Sequence, residues 1–247
     1  MILPEWTTNN ILLYSLFAVI VLAVGPLEYF GQAMMAYSKF RPAQGLPTRM
    51  GMFILYFLPF LAVMVSALPY LAGPSVIQLL VFAAVTIHFL KRILESLFLH
   101  KYSGLIGGFT TFIIAGFYSL AAYLIGYLNR DPLQSMDIWF YIGAALFIVG
   151  VIGNFIHHKI LAGLRKNTME YIIPSGGLFN VVVCPHYLFE IITWIGIALL
   201  SRHLGAFIAL FGFASYLTAR SIRTLKWYQE RFSEFPVARK ALIPFIL

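Results

Sequence analysis

Seven apolar segments, at about 11–36, 50–70, 74–99, 105–128, 136–161, 180–200 and 204–226, limit what this chain can fold into. A hydrocarbon layer about 30 Å thick is crossed by about 20 residues of α-helix. In lipid such a segment must satisfy its own backbone N–H and C=O groups, which a helix does. The segments have that length and short loops join them, so they predict an all-α integral membrane protein with seven transmembrane helices. Composition agrees, with 61% of residues hydrophobic and 11% charged, against about 25% charged in a soluble domain. The 247 residues then form a single membrane domain, 1–247, with no room for a separate soluble one. MILPEWTTNN lacks the basic stretch of a signal peptide, so the first segment is read as a retained helix, kinked at Gly25-Pro26. No internal repeat, low-complexity tract or strand-period segment is apparent.

Lys and Arg decide the orientation. With the N-terminus outside, the inner loops and tail hold Lys39, Arg41, Arg49, Lys101, Lys159, Arg165, Lys166 and six more basic residues from Arg220 onward. Lys91 and Arg92, near the inner end of the third segment, bring this to 15 of the 17, leaving Arg130 and Arg202 outside. The positive-inside rule therefore predicts an outside N-terminus and a cytosolic C-terminus. The net charge of +8 is distributed by side of the membrane and not gathered in one run, so nucleic acid is not an expected partner. A lone cysteine, Cys184, excludes an internal disulfide and reads as a small buried residue.

Polar residues recur at helical spacing inside these apolar segments, and an ionisable group at membrane depth marks a candidate functional site. His186, Glu190 and Trp194 share one face, as do Tyr216, Arg220, Thr224 and Trp227. In the fifth segment Gly150, Asn154, His158 and Arg165 align, with Asn154 and Arg165 about 16 Å apart along the axis. In the third, His88, Arg92 and Glu95 or Ser96 recur, and Lys91 can pair with Glu95 as an i, i+4 neighbour. The alternative is that these charges snorkel to the interface, and that Arg220 and Arg223 anchor lipid headgroups. Convergence of Arg92, Arg165 and Arg220 with His186 and Glu190 on the cytosolic half points instead to a dinucleotide, since a guanidinium fork suits phosphate oxygens. No GxGxxG or Walker loop accompanies them, and Gly176-Gly177 alone marks a turn. Adjacent His157 and His158 project about 100° apart and have no HExxH or cysteine pair beside them, so no metal site is expected.

The runs PSGGLF, CPHYLFEIITWIG and KWYQERFSEFPVARKALIPFI resemble the C-terminal half of the steroid 5-alpha-reductase family, which includes trans-2-enoyl-CoA reductases and polyprenol reductases. With weaker matches upstream, the resemblance covers about residues 46–247. It implies NADPH-dependent reduction of an activated C=C bond in a hydrophobic substrate. The residues matching the family's cofactor site are Asn154, Arg165, His186, Glu190, Trp194, Arg220 and Tyr228. Arg92, in HFLKRILESLFLHKYS, matches a further cofactor arginine. Spans one to four would form the substrate chamber and spans five to seven, residues 150–247, the cofactor region. The extra N-terminal domain of the enoyl-CoA reductases is not expected here.

Two departures concern the proton donor. LPTRMGMFILYFLPF places Tyr56 about where steroid reductases hold a carboxylate, and Phe89 stands where the family has a catalytic tyrosine. Phenylalanine donates no proton, so the acid role passes to Tyr56 or to His88. The expected substrate is a 3-oxo-4-ene steroid first and a long-chain enoyl thioester second, in steroid or lipid metabolism. A monomer is expected, in the endoplasmic reticulum of a eukaryote or the inner membrane of a bacterium. The competing resemblance is to membrane methyltransferases that use S-adenosylmethionine, but their paired Glu-Glu has no match here.

Overall fold

The computed structural model describes residues 1–31, 36–40, 42–164 and 171–247. It is all-helical, 71% helix, with seven α-helices: α1 Thr8–Phe30, α2 Thr48–Ala67, α3 Val76–Leu94, α4 Gly108–Leu128, α5 Ile138–Leu164, α6 Pro185–Ser201 and α7 Leu204–Arg231. Six are long and apolar enough to cross a membrane; α6, with 17 residues, is the shorter one. At 1.5 Å per residue it reaches only about 25 Å. Helices of this length and composition are those of an integral membrane protein, and exposed faces carry the apolar side chains expected against lipid, such as Leu12, Leu16, Phe112, Ile148 and Ile152.

Helix starts follow local chemistry. Thr7 caps α1 by accepting from the Asn10 N–H, and Ser75 and Gln78 form a reciprocal capping box on α3. Pro185 opens α6, where its missing N–H costs nothing. Pro26 lies inside α1 without ending it, and the helix stops at Phe30, short of the sequence expectation of 36. α3 continues as a π-helical turn, Glu95–Leu99. The structure also adds a two-residue antiparallel ladder absent from the sequence reading: β1, Leu46–Pro47, pairs with β2, Leu105–Ile106.

α5 packs along α6, α2 against α4 and α1 against α7. Small residues set the closest of these approaches. A Cβ on Gly196 would lie 2.5 Å from the Phe147 nitrogen, and one on Gly150 would lie 2.5 Å from the Thr193 nitrogen, so backbones and not side chains meet there. The α6–α7 turn is pinned by Arg202, whose Nη1 reaches Asp137 Oδ2 at 2.8 Å.

Hydrogen bonds sort the loops into two sets. The N-terminus bridges to His203, His203 reaches the Asp131 carbonyl, and Asn129 joins the end of α4 to Tyr70 after α2. At the opposite end the C-terminal tail returns to the strand-like segment before α6: Val183 N donates to Lys240 O at 2.8 Å and Cys184 N to Ala241 O at 3.0 Å. The runs that lead into α6 and close the chain are thus hydrogen-bonded to each other. Cys184 is buried in this corner.

Candidate active site

A cavity opens at the tail end of the bundle, walled by α2 to α7 and by the loops around Lys39 and Lys101. Its described lining holds four cations, Lys39, Arg92, Lys101 and Arg220, against the single carboxylate of Glu190. The charge excess is positive in a space whose α2 and α4 walls also carry the apolar Met52, Leu55 and Ile114. Eight tyrosines also line it, Tyr56 and Tyr118 among them.

One polar network ties four helices together at this wall. Arg92 on α3 pairs with Glu95 Oε2 and donates through Nη2 to the Tyr56 hydroxyl on α2. Its Nη1 also lies 2.7 Å from His158 Nδ1 on α5, and that nitrogen is 2.9 Å from Glu95 Oε2. Arginine only donates and a carboxylate only accepts, so His158 Nδ1 serves one of them at a time. Lys91 Nζ reaches Glu95 Oε1 at 2.8 Å, as the i, i+4 spacing predicts, and donates to Asn154 Oδ1. Asn154 Nδ2 passes the chain on to the His186 carbonyl at 2.8 Å and to Glu190 Oε2 at 3.1 Å. Glu95 is 3% exposed, and its neighbours Lys91 and Arg92 point inward instead of snorkelling.

The candidate residues named from sequence fall into three groups. Tyr56, Arg92, Asn154, His186, Glu190, Arg220 and Tyr228 line the cavity. His88 and Trp194 are not on that lining. Trp194 is buried in an aromatic cluster, its ring 4.1 Å from Phe213 and 4.9 Å from His88. His88 Nε2 lies 3.4 Å from Glu190 Oε1, without hydrogen-bond geometry. Arg165 lies outside the described residues. Phe89, at the family's tyrosine position, is fully buried edge-on against Tyr118.

Three features escaped the sequence reading. Tyr118 on α4 brings a second phenol to the cavity, its ring 6.3 Å from that of Tyr56; nothing in its local sequence distinguishes it. Glu28 on α1 is buried and binds both Arg220 and Arg223; a lone carboxylate in an apolar segment was the available signal. Glu95, His100 and His158 bring ligand-type atoms within 4.8 Å of one another, but the Arg92 guanidinium already sits at Glu95 and His158, where it occupies the place of a cation.

The family model described as 3-oxo-5-alpha-steroid 4-dehydrogenase matches residues 80–247. The chain belongs to this family. Among its relatives, a very-long-chain enoyl-CoA reductase of Dictyostelium discoideum is 34% identical over 168 residues, covering 66% of this chain and 56% of the relative. A 3-oxo-5-alpha-steroid 4-dehydrogenase 1 of Rattus norvegicus is 40% identical over 128 residues, 49% of each chain. A polyprenal reductase 1 of Arabidopsis thaliana is 37% identical over 124 residues, 48% of this chain and 39% of the relative. The chain thus spans about half the length of the curated relatives it matches. The matched region begins in α3, so it includes Arg92 and the α5–α7 wall but neither Tyr56 nor Glu28.

Removing Glu95 should expose how much this network matters. Glu95→Ala leaves Lys91 and Arg92 without their shared carboxylate, and loss of one partner from a buried ion pair costs about 3–5 kcal/mol. The expected result is a large drop in the thermal unfolding midpoint of detergent-purified protein. A midpoint equal to wild type would mean that the two cations find water or other partners.

Proposed function

We propose that the chain is an oxidoreductase that reduces an activated C=C bond of a hydrophobic substrate with NADPH, a 3-oxo-4-ene steroid being the first substrate class and a trans-2-enoyl thioester the second. The observation that carries this reading is the cationic excess of the cavity lining beside an apolar wall, in a chain of this family. An anionic cofactor and a hydrophobic acceptor are the two ligands such a lining suits.

The residues present fit NADPH. Among the described residues His186 Nδ1 is buried without a hydrogen-bond partner on the cavity wall, and such an atom is costly unless a ligand meets it. Arg220 would face phosphates, with Arg165 as a further candidate, while Asn154, Glu190 and Tyr228 would hold the ribose or amide end and Arg92, bonded to Tyr56, would stand near the reacting end. When bound, the cofactor supplies a hydride.

Tyr56 is the proposed general acid. Its oxygen accepts from Arg92, so its own O–H remains available to a substrate carbonyl, and the guanidinium stabilises the charge left when that proton departs. Tyr56 lines the cavity and His88 does not, which favours the phenol. We further propose seven spans with the N-terminus outside and the cavity open to the cytosol, in a monomer of the endoplasmic reticulum or of a bacterial inner membrane. The support is the loop sorting above, since Lys101 and Lys39 border the cavity end and Arg130 and Arg202 the other.

NADPH should raise the unfolding temperature of the purified protein; at 100 times Kd a ligand specific to the native state adds about 2.7 kcal/mol. Stabilisation by S-adenosylmethionine and not by NADPH would favour methyl transfer. Tyr56→Phe should lower turnover of a 3-oxo-4-ene steroid or enoyl thioester by roughly 10²-fold with NADPH affinity nearly unchanged, and equal turnover removes Tyr56 from the mechanism. In sealed membranes of a Cys184→Ala background, Lys101→Cys should label from the cytosolic side and Arg130→Cys from the other; the reverse pattern inverts the topology.

A further inference from the structure

We propose that Glu28 is a positioning residue for the anion-binding wall: it holds Arg220 in a set place from which the guanidinium meets a phosphate of the dinucleotide. The proposal rests on the reading of the cavity as an NADPH site. Glu28 is the one charged residue of α1 and is 2% exposed. Its Oε1 accepts from Arg220 Nη1 at 2.9 Å and from Arg223 Nη1 at 2.8 Å. Arg223 Nη1 also reaches the Glu28 carbonyl at 3.1 Å.

Arg220 is held from further sides. Nη2 donates to the Tyr37 carbonyl at 2.9 Å, and the rings of Tyr37 and Phe40 lie 4.2 and 4.5 Å from its guanidinium carbon. The Tyr37 hydroxyl is itself bonded to that of Tyr216, one turn before Arg220, at 2.7 Å. A carboxylate and a carbonyl on two terminal nitrogens, with rings beside the plane, fix both the position and the tilt of the guanidinium. Arg220 lines the cavity and Glu28 does not, so Glu28 acts through the arginine.

Charge completes the argument. Arg220 and Arg223 share one carboxylate, so the trio keeps a net charge of +1. Without Glu28 two guanidinium groups would repel each other in a buried site and Arg220 would have to be reordered when ligand arrives. Ordering done at folding is not charged again at binding, which is how preorganisation raises affinity.

The test is a double-mutant cycle on the full-length, detergent-purified chain, with NADPH affinity measured by calorimetric titration and the unliganded melting temperature recorded alongside. Glu28→Gln should raise the NADPH Kd by about tenfold or more, the scale of weakening one charge-assisted hydrogen bond. Glu28→Asp, which keeps the charge, should restore part of the affinity. In an Arg220→Met background, Glu28→Gln should change Kd by less than about twofold, because the residue it positions is gone. An equal loss in both backgrounds would show general loosening of α1 and overturn the proposal. Should Glu28→Gln fail to fold, Glu28→Asp in the two backgrounds decides by the same comparison. Tight wild-type binding that is unaffected by the Glu28 substitutions overturns the proposal alone, whereas a wild type that binds no NADPH overturns the dinucleotide reading and the proposal with it.

Discussion

The pairing of Arg92 with Glu95 is the interaction on which the interior of this bundle depends. An unpaired charge at membrane depth costs several kcal/mol by insertion scales, so a helix bearing Lys91, Arg92 and Glu95 must find polar groups on its neighbours. It finds Tyr56 on α2, and His158 and Asn154 on α5. These contacts fix how α3 rotates and how far α5 stands from it. A buried ion pair of this kind contributes little net stability compared with apolar packing. Its consequence is specificity, because few other arrangements of the helices leave no charge in lipid.

Packing supplies the complementary constraint. α5 and α6 approach until backbones touch at Gly150 and Gly196, and only at that separation does Asn154 on α5 reach both the His186 carbonyl and the Glu190 carboxylate on α6. The two effects depend on each other. A larger residue at Gly150 would push the helices apart and break hydrogen bonds about one turn away, so the glycine first noticed as part of a polar stripe is better explained by the partner helix it admits.

Helix positions were legible because apolar runs bounded by loops leave little choice, and the starts and ends lie within a few residues of those read from sequence, except where α1 stops at Phe30. The stripes were legible in part. His186, Glu190 and Trp194 sit four residues apart, but each step of four turns the side chain by about 40°. After two steps Trp194 has rotated about 80° from His186, into the aromatic cluster with Phe213 and Phe89. A stripe marks a sector and not a line, and its far end can leave the site. Tyr118 was invisible for the opposite reason: in a chain with 14 tyrosines, only tertiary packing singles out one phenol. Glu28 could have been read from the rule that flagged Arg220, since the first segment holds one carboxylate and no cation to match it.

The sequence expectation of a substrate chamber in spans one to four and a cofactor region in spans five to seven meets a single cavity, whose described lining includes no residue of α1. α2 and α4 line the same cavity as α5, α6 and α7. For the reaction proposed here this is a requirement. Hydride transfer needs donor and acceptor atoms about 3–3.5 Å apart, so two separate chambers could not perform it, however well each bound its ligand. What can differ is the chemistry of the lining, which holds uncharged Met52, Leu55 and Ile114 as well as Arg92, Lys39 and Arg220. Tyr56 joins the two kinds of lining, on the apolar helix α2 but hydrogen-bonded to the cation of α3. A phenol so placed can share a space with a hydrophobic acceptor while a guanidinium stabilises the oxygen that loses the proton. A carboxylate at position 56 would instead form an ion pair with Arg92 and compete with Glu95 for it.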